Sequence, residues 1–306
     1  MPRFIIFGSV AWDRPVWLDR PLEQGGRILG LVSQDSNSEL PGGRLGGGGA
    51  NAAACLANAG HDVAVWSTLR DDPQGQQIRK HLSALGVNCA FLHPTEWIGG
   101  ETLVLIEPNG ERTILFQHSD PDLDLSLRRL LKRQDAKVDL AAVQSFNPDG
   151  IYIRSMYPGF ESLGELEETC VVSHWPQLTG EGVLPADVLI GSKEDLIADS
   201  SLEGVFERGR EACGRRLKWV IVTEGKTGGE IISATGRTVF SSPAIQQVDA
   251  TGAGDAFAAG VLEALVAGGD IFEAARHGAI WGSRTASLKG SAEQRPPQTY
   301  PSWGRA

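Results

Sequence analysis

Short apolar runs recur along this chain with helix-like stretches between them, and few folds satisfy that alternation. Phe4-Ile5-Ile6-Phe7, closed by Gly8-Ser9, reads as a buried strand. Ala50 to Ala59 follows with helical character, and Val63-Ala64-Val65-Trp66 completes a β-α-β opening. Leu140 to Val143, Cys170 to Val172, Val188 to Ile190 and Val220 to Val222 are further strand-like runs. Helix-like stretches at Pro73 to Leu85 and Leu202 to Cys213 lie between some of them. Strands joined through helices predict an α/β fold whose mainly parallel sheet is covered on both faces. Leu262 to Leu288 reads as two consecutive helices broken near Gly268-Gly269.

Two segments break this rhythm. Val16 to Leu40 is polar, poor in helix signals and interrupted by Gly25-Gly26 and Gly30. Glu101 to Ile106 and Arg112 to Phe116 flank Pro108-Asn109-Gly110, a strong hairpin signal. Both are assigned to a small β-sheet projecting as a lid, formed by about 14–40 and 100–117, from a single domain spanning 1–306. Pro296-Pro297 and Pro301 mark an irregular C-terminal tail.

Composition narrows the class of partner. A hydrophobic share of 41% and a charged share of 22% fit a globular protein, and the net charge of -10 argues against a nucleic-acid surface. The basic cluster Arg128-Arg129 with Lys132-Arg133 has helical spacing and reads as a solvated face. Cys55, Cys89, Cys170 and Cys213 form no C-x-x-C pair, as expected of free thiols in a reducing compartment. The six histidines show no metal-ligand spacing. Met1 to Val10 is too short and too quickly charged for a signal peptide, and no apolar run approaches membrane-spanning length. A cytoplasmic location without membrane partners is expected.

Chemistry concentrates at two glycine-rich turns. Asp249-Ala250-Thr251-Gly252-Ala253-Gly254-Asp255-Ala256-Phe257 leads into an apolar helix. Successive backbone N–H groups at a helix start attract anions, because the unpaired donors and the helix dipole point the same way. Asp255 in that first turn is ordinary helix-start chemistry when read alone. Beside an anion cradle it is also the base that phosphoryl transfer to a hydroxyl requires. The second turn is Gly46-Gly47-Gly48-Gly49-Ala50-Asn51, which is neither a Walker loop nor a dinucleotide fingerprint. The Asn51 amide can donate to and accept from vicinal hydroxyls, and Asp13 emerges from the carboxyl end of the first strand, where ligands of open α/β sheets bind. Arg44, just ahead of the glycine run, could suit an acidic or phosphorylated substrate but reads rather as an exposed loop residue, and Trp12 is placed near the substrate.

These residues together resemble the ribokinase-like (PfkB) carbohydrate kinase family along nearly the whole chain. The resemblance implies a doubly wound, mainly parallel sheet flanked by helices, with a small β-sheet lid. It implies Asp255 as catalytic base and Gly252, Ala253 and Gly254 as the anion hole for the transferring phosphoryl. Asp13, Gly47 and Asn51 match the family's hydroxyl-binding contacts. Thr223, Gly225 and Gly228, within Thr223-Glu224-Gly225-Lys226-Thr227-Gly228-Gly229, resemble the stretch along the nucleotide phosphates. Implied cofactors are ATP and Mg2+, the latter held by Glu194 through water. A monovalent cation is added if the loop at Lys289-Gly290-Ser291 serves as it does in some members. The implied substrate is a sugar or sugar-like alcohol phosphorylated at a hydroxymethyl group. Unpaired lid edges make a homodimer through the lid an expectation.

The chain also departs from the family pattern. Gly191-Ser192-Lys193-Glu194 lacks the usual Asn, leaving Lys193 a candidate phosphate ligand, and Ser67 and Arg70 replace paired glycines. Phe146 stands near the position of an acidic sugar ligand. Two alternatives remain on these residues: a nucleoside kinase, with Trp12 and Phe146 stacking on a base, or a non-catalytic sugar- or nucleotide-sensing homologue, which Gly191 favours.

Overall fold

The computed structural model describes residues 1–32, 43–95, 102–116, 136–175, 183–197 and 204–289. The Arg128–Arg133 cluster, Gly290-Ser291, the proline-marked tail and parts of both lid segments lie outside the described residues. In chain order the first strands are β1 (Arg3–Phe7), β2 (Ala11–Leu18), β3 (Gly30–Val32), β4 (Arg44–Gly46), β5 (Asp62–Leu69), β6 (Leu92–Pro94) and β7 (Thr102–Ile106). The others are β8 (Arg112–Phe116), β9 (Gly150–Ile153), β10 (Cys170–His174), β11 (Val188–Ser192), β12 (Trp219–Thr223), β13 (Gly229–Ser233) and β14 (Gly236–Phe240). Helices are α1 (Gly48–Asn58), α2 (Pro73–Ala84), α3 (Leu140–Phe146), α4 (Lys193–Ile197), α5 (Val205–Cys213), α6 (Ala253–Val266) and α7 (Ile271–Ala286).

A nine-stranded sheet runs in the order β14-β13-β12-β11-β10-β9-β1-β5-β6. Pairing is parallel from β6 through β12 and antiparallel only at β13 and β14. Side-chain alternation feeds two cores. Phe4, Ile6, Val65, Tyr152, Val172 and Ile221 face α1, α6 and α7, whereas Ile5, Phe7, Trp66, Ile151, Val171 and Val220 face α3 and α5. Covered on both faces, these strands read as continuous apolar runs, as parallel strands do. The chain leaves β1 toward β5 and later returns to β9 on the other side of β1. That reversal opens a crevice at the carboxyl ends of β1 and β9.

One element differs from the sequence expectation. Leu140 to Val143 is helical rather than extended, because the Asp139 carboxylate accepts from the Ala142 N–H at 3.2 Å and starts α3. Asn147, with φ 52°, ends it in the left-handed region. The strand of this region is β9, and the β13–β14 hairpin at the sheet edge is a further element not anticipated.

The second, five-stranded sheet has the order β3-β2-β7-β8, with β4 paired to β2. Its hairpin turn reaches the main body. The Gly110 carbonyl accepts from the Ala250 N–H at 3.1 Å, and Gln247 Nε2 donates to Glu111 Oε1 at 2.9 Å. Among the described residues no helix is long and apolar enough to cross a membrane.

Candidate active site

Ser9, just past β1, organises the start of α1. Its carbonyl accepts from the Gly49 and Ala50 N–H groups at 2.9 and 3.2 Å, and its Oγ accepts from the Gly48 N–H at 3.2 Å. This crossing depends on glycine. Gly47 has φ 87°, and a Cβ there would lie 2.5 Å from the Ser9 carbonyl oxygen; one on Gly49 would lie 2.6 Å from the Gly8 carbonyl carbon. The result turns Asn51, in the first turn of α1, toward the start of α6.

Gly252 caps α6 with φ 76°, a left-handed conformation that glycine adopts without strain. Asp255 then sits in the first helical turn with both carboxylate oxygens engaged. Asn51 Nδ2 donates to Oδ2 at 3.0 Å and Arg154 Nε donates to Oδ1 at 3.1 Å. The Ala253 N–H closes the turn on the Ala250 carbonyl at 3.2 Å, whereas the Gly252 and Gly254 amides donate to no acceptor among the described residues. A Cβ on Gly254 would meet nothing within 4 Å, so the approach to its amide is open. Gly252 is buried and Gly254 exposed, and two N–H groups without an acceptor beside a carboxylate at a helix start can hold an anion against a proton acceptor.

Asp13 lies on β2, opposite Arg44 of β4 and Thr102 of β7. A Cβ on Gly46 would stand 1.9 Å from Asp13 Oδ2, so the glycine leaves room for this carboxylate. Burial pushes the Asp13 carboxyl up to about 6; the Arg44 charge opposes that, while Asp255 and Asp249 reinforce it. Arg44 itself is only 6% exposed and ion-paired to the fully buried Asp249 at 2.8 Å, not displayed on a loop. Asp249 also accepts from the Thr251 N–H at 2.9 Å, so the pair joins the two glycine-rich turns.

The residues resembling the nucleotide stretch lie at the tips of β11 and β12. Thr223 ends β12 and its hydroxyl donates to the Gly191 carbonyl at 3.4 Å. A turn from Gly225 to Thr227 follows, with Gly228 at φ 111° entering β13. A Cβ on Gly225 would meet nothing within 4 Å. Lys193 is ion-paired to Glu224 rather than left open, and Glu194 is exposed beside it. Gly191 has a packing reason: a Cβ there would approach Trp175 Cβ to 2.9 Å, so no asparagine fits without moving that ring. Among the described residues no three His, Cys, Asp or Glu side chains cluster as a metal site. Glu194 alone still suits Mg2+ held chiefly by phosphates, since that ion commonly takes one or two carboxylates and keeps its waters.

The structure thus brings together Asp255, Asn51, Gly252, Gly254 and the Gly47 turn, with Asp13 close enough to feel the Asp255 charge. One aromatic assignment changes. Phe146 lies under the Arg3 guanidinium, 4.4 Å from its ring, and Arg3 begins β1; the residue is therefore at the amino edge of the sheet, away from Asp255. Trp12 is buried edge-on against His81 with ring centres 4.8 Å apart, and its Nε1 has no partner among the described residues. Arg154, immediately after β9, is the site residue the sequence did not reveal. Lys289, at the expected cation loop, places its ammonium 4.4 Å from the Trp17 ring centre.

Known proteins resemble this chain over most of its length. Over 95% of its length the chain is 28% identical to ATP-dependent ribose-1-phosphate kinase from Halopiger xanaduensis, covering 94% of that protein. It is 26% identical to ribokinase from Bacillus subtilis, covering 94% of this chain and 92% of that one. The solved structure of Arabidopsis thaliana ribokinase with ribose and ATP superposes with a TM-score of 0.63 at 21% identity, covering 96% of each chain, and so has the same fold. The model of the pfkB family of carbohydrate kinases matches residues 41–150 and 185–298, both glycine-rich turns included. The chain belongs to the pfkB carbohydrate kinase family.

Proposed function

We propose that this enzyme transfers the γ-phosphoryl group of ATP to a hydroxymethyl group of a sugar or sugar-like alcohol. The observation that carries the proposal is Asp255 in the first turn of α6, bonded to Asn51 and flanked by the Gly252 and Gly254 amides, which donate to no acceptor among the described residues. Asp255 takes the proton of the acceptor hydroxyl, the oxygen attacks the γ-phosphorus, and the bond to the bridging oxygen breaks to release ADP. Gly252 and Gly254 hold the charge that spreads over the transferring group, and Ala253 fixes them by closing the turn. One preorganised donor of this kind is worth roughly 10²–10³ in rate.

Asp13, Asn51 and the Gly47 turn hold the acceptor's other hydroxyls. Thr223, Gly225 and Gly228 line the nucleotide phosphates. Glu194 would hold Mg2+ through water, where the ion would offset phosphate charge, and Lys193 pairs with Glu224 at that edge. The second sheet acts as a lid: its hairpin already rests on 247–250, where closing it further excludes water from the transfer. Exposed apolar residues on its edge strands, Leu31 of β3 and Ile114 and Leu115 of β8, suit pairing with the lid of a second copy. The names of the two relatives support a ribose-type acceptor. The positions of Phe146 and Trp12 leave the nucleoside alternative without its stacking pair.

A coupled ADP-release screen over pentoses, hexoses, sugar phosphates, sugar acids and nucleosides tests the proposal. Acceptor-dependent ADP release, with phosphate found on a primary hydroxyl, is expected. Failure of every acceptor to release ADP above the rate of ATP alone would contradict it.

A further inference from the structure

Arg154 is placed as a substrate-reading residue would be. It follows β9 directly, at the crevice where the strand order reverses, and its backbone N–H donates to the Phe7 carbonyl at 2.7 Å, which fixes its root beside the end of β1. Glycines make room for its side chain. A Cβ on Gly48 would lie 2.7 Å from Arg154 Cγ and 2.9 Å from its Nε, and one on Gly8 would lie 3.2 Å from its Cβ. The guanidinium reaches Asp255 Oδ1, the carboxylate oxygen opposite the one that Asn51 holds. Its charge also reaches His174 at the tip of β10, whose imidazole is held neutral first by burial and then by this cation.

The Arg154 side chain is 37% exposed and that of Asp255 13%, so the guanidinium end of this pair is open to solvent and able to meet a ligand. A cation resting on the carboxylate that is to accept the hydroxyl proton also hinders a neutral acceptor, whose hydroxyls compete only weakly with a carboxylate for a guanidinium. An acidic acceptor does offer something. A guanidinium forms paired, charge-assisted bonds with a phosphate or carboxylate.

We infer that Arg154 selects an acceptor carrying an acidic group, a phosphate monoester or a carboxylate, and that binding this group draws the guanidinium off Asp255. The inference rests on the kinase reading of the site. It gives Arg154 two tasks: holding the anion, and keeping Asp255 covered until an acceptor arrives, so that ATP is not spent on water. The chemistry balances as before, the proton ending on Asp255 and the γ-phosphoryl on the acceptor oxygen, while the acceptor's acidic group stays ionised throughout.

The test measures kcat/KM for matched neutral and acidic acceptors: ribose against ribose 1-phosphate, and glucose against gluconate. The wild type and the R154Q and R154K variants are compared, with circular dichroism to show that each is folded. The wild type is expected to prefer one acidic class by about tenfold to a hundredfold, the scale of a charge-assisted pair. In R154Q that preference should collapse toward unity, mainly through KM, and R154K should restore part of it. The two pairs tell phosphate from carboxylate. An active enzyme whose acidic-to-neutral ratio is unmoved by R154Q, or which prefers neutral sugars, overturns the inference and leaves the kinase reading standing. If no acceptor releases ADP, thermal shift decides: stabilisation by an acidic sugar that R154Q abolishes sinks only the kinase reading, and no such stabilisation sinks both.

Discussion

Asp13 shows what a buried carboxylate does to stability. Its folded-state value near 6 lies above the ordinary 3.8, so the folded protein binds the proton more readily than the unfolded chain. Above about pH 6 the charged carboxylate therefore weakens the fold in full, and the penalty fades as pH falls toward 3.8. Two pKa units correspond to at most roughly 3 kcal/mol. Asp13→Asn should accordingly raise the melting temperature at pH 7.5 and raise it little at pH 4, while the acceptor KM rises by tenfold or more. Thermal melts across that pH range and acceptor titrations check both halves. An unchanged melting temperature at pH 7.5, or an unchanged KM, would contradict the place given to Asp13. His277 shifts in the other direction: burial lowers it to about 4 against the attraction of Glu263, so its contribution is present above 6.5 and is lost as pH falls toward 4.

The start of α6 joins backbone geometry to chemistry. A side chain on Gly252 would be strained at φ 76° and its Cβ would sit 3.0 Å from Asn51 Nδ2, the atom that donates to Asp255. Gly252→Ala should therefore lower stability by about 1–2 kcal/mol and lower kcat by a larger factor, because Asn51 and the amide cradle move together. Denaturant melts and turnover measured on the same preparation separate the two effects, and a loss of stability with kcat intact would count against the cradle. Such turns were legible in the sequence because glycine runs before apolar helices have few explanations. Parallel strands were legible as apolar runs for the same reason. Misreading Leu140 to Val143 had a larger consequence. Asp139 caps those residues into a helix, so the true strand begins at Gly150, and the residue expected at its tip was Phe146 where Arg154 stands. One misplaced strand moved an aromatic ring to the site and hid the guanidinium. The Arg44–Asp249 pair was hidden for a different reason: 205 residues separate its members, and no local pattern links them.

As a whole the molecule divides its work between two sheets. The large one aligns strand tips, and the crevice between β1 and β9 follows from the reversal in strand order. The small one carries Asp13 on β2 and touches the segment leading to Gly252 through its hairpin turn. Leu31, 69% exposed on edge strand β3, is an apolar residue that a second lid would cover. A dimer in sedimentation velocity at micromolar concentration is expected, with Leu31→Glu shifting it to monomer; a wild type that stays monomeric at all concentrations would contradict lid pairing.

The proposed chemistry converges on one carboxylate, so the most direct measurement is acceptor-dependent ADP release by Asp255→Asn beside the wild type. Nucleotide and acceptor binding are followed separately by calorimetry in both proteins. A base at this position requires turnover to fall by roughly 10²–10⁴ with both affinities within a few-fold of the wild type. Turnover within a few-fold of the wild type, with both substrates bound, would show that the proton leaves the acceptor by some other route and that Asp255 is not the base.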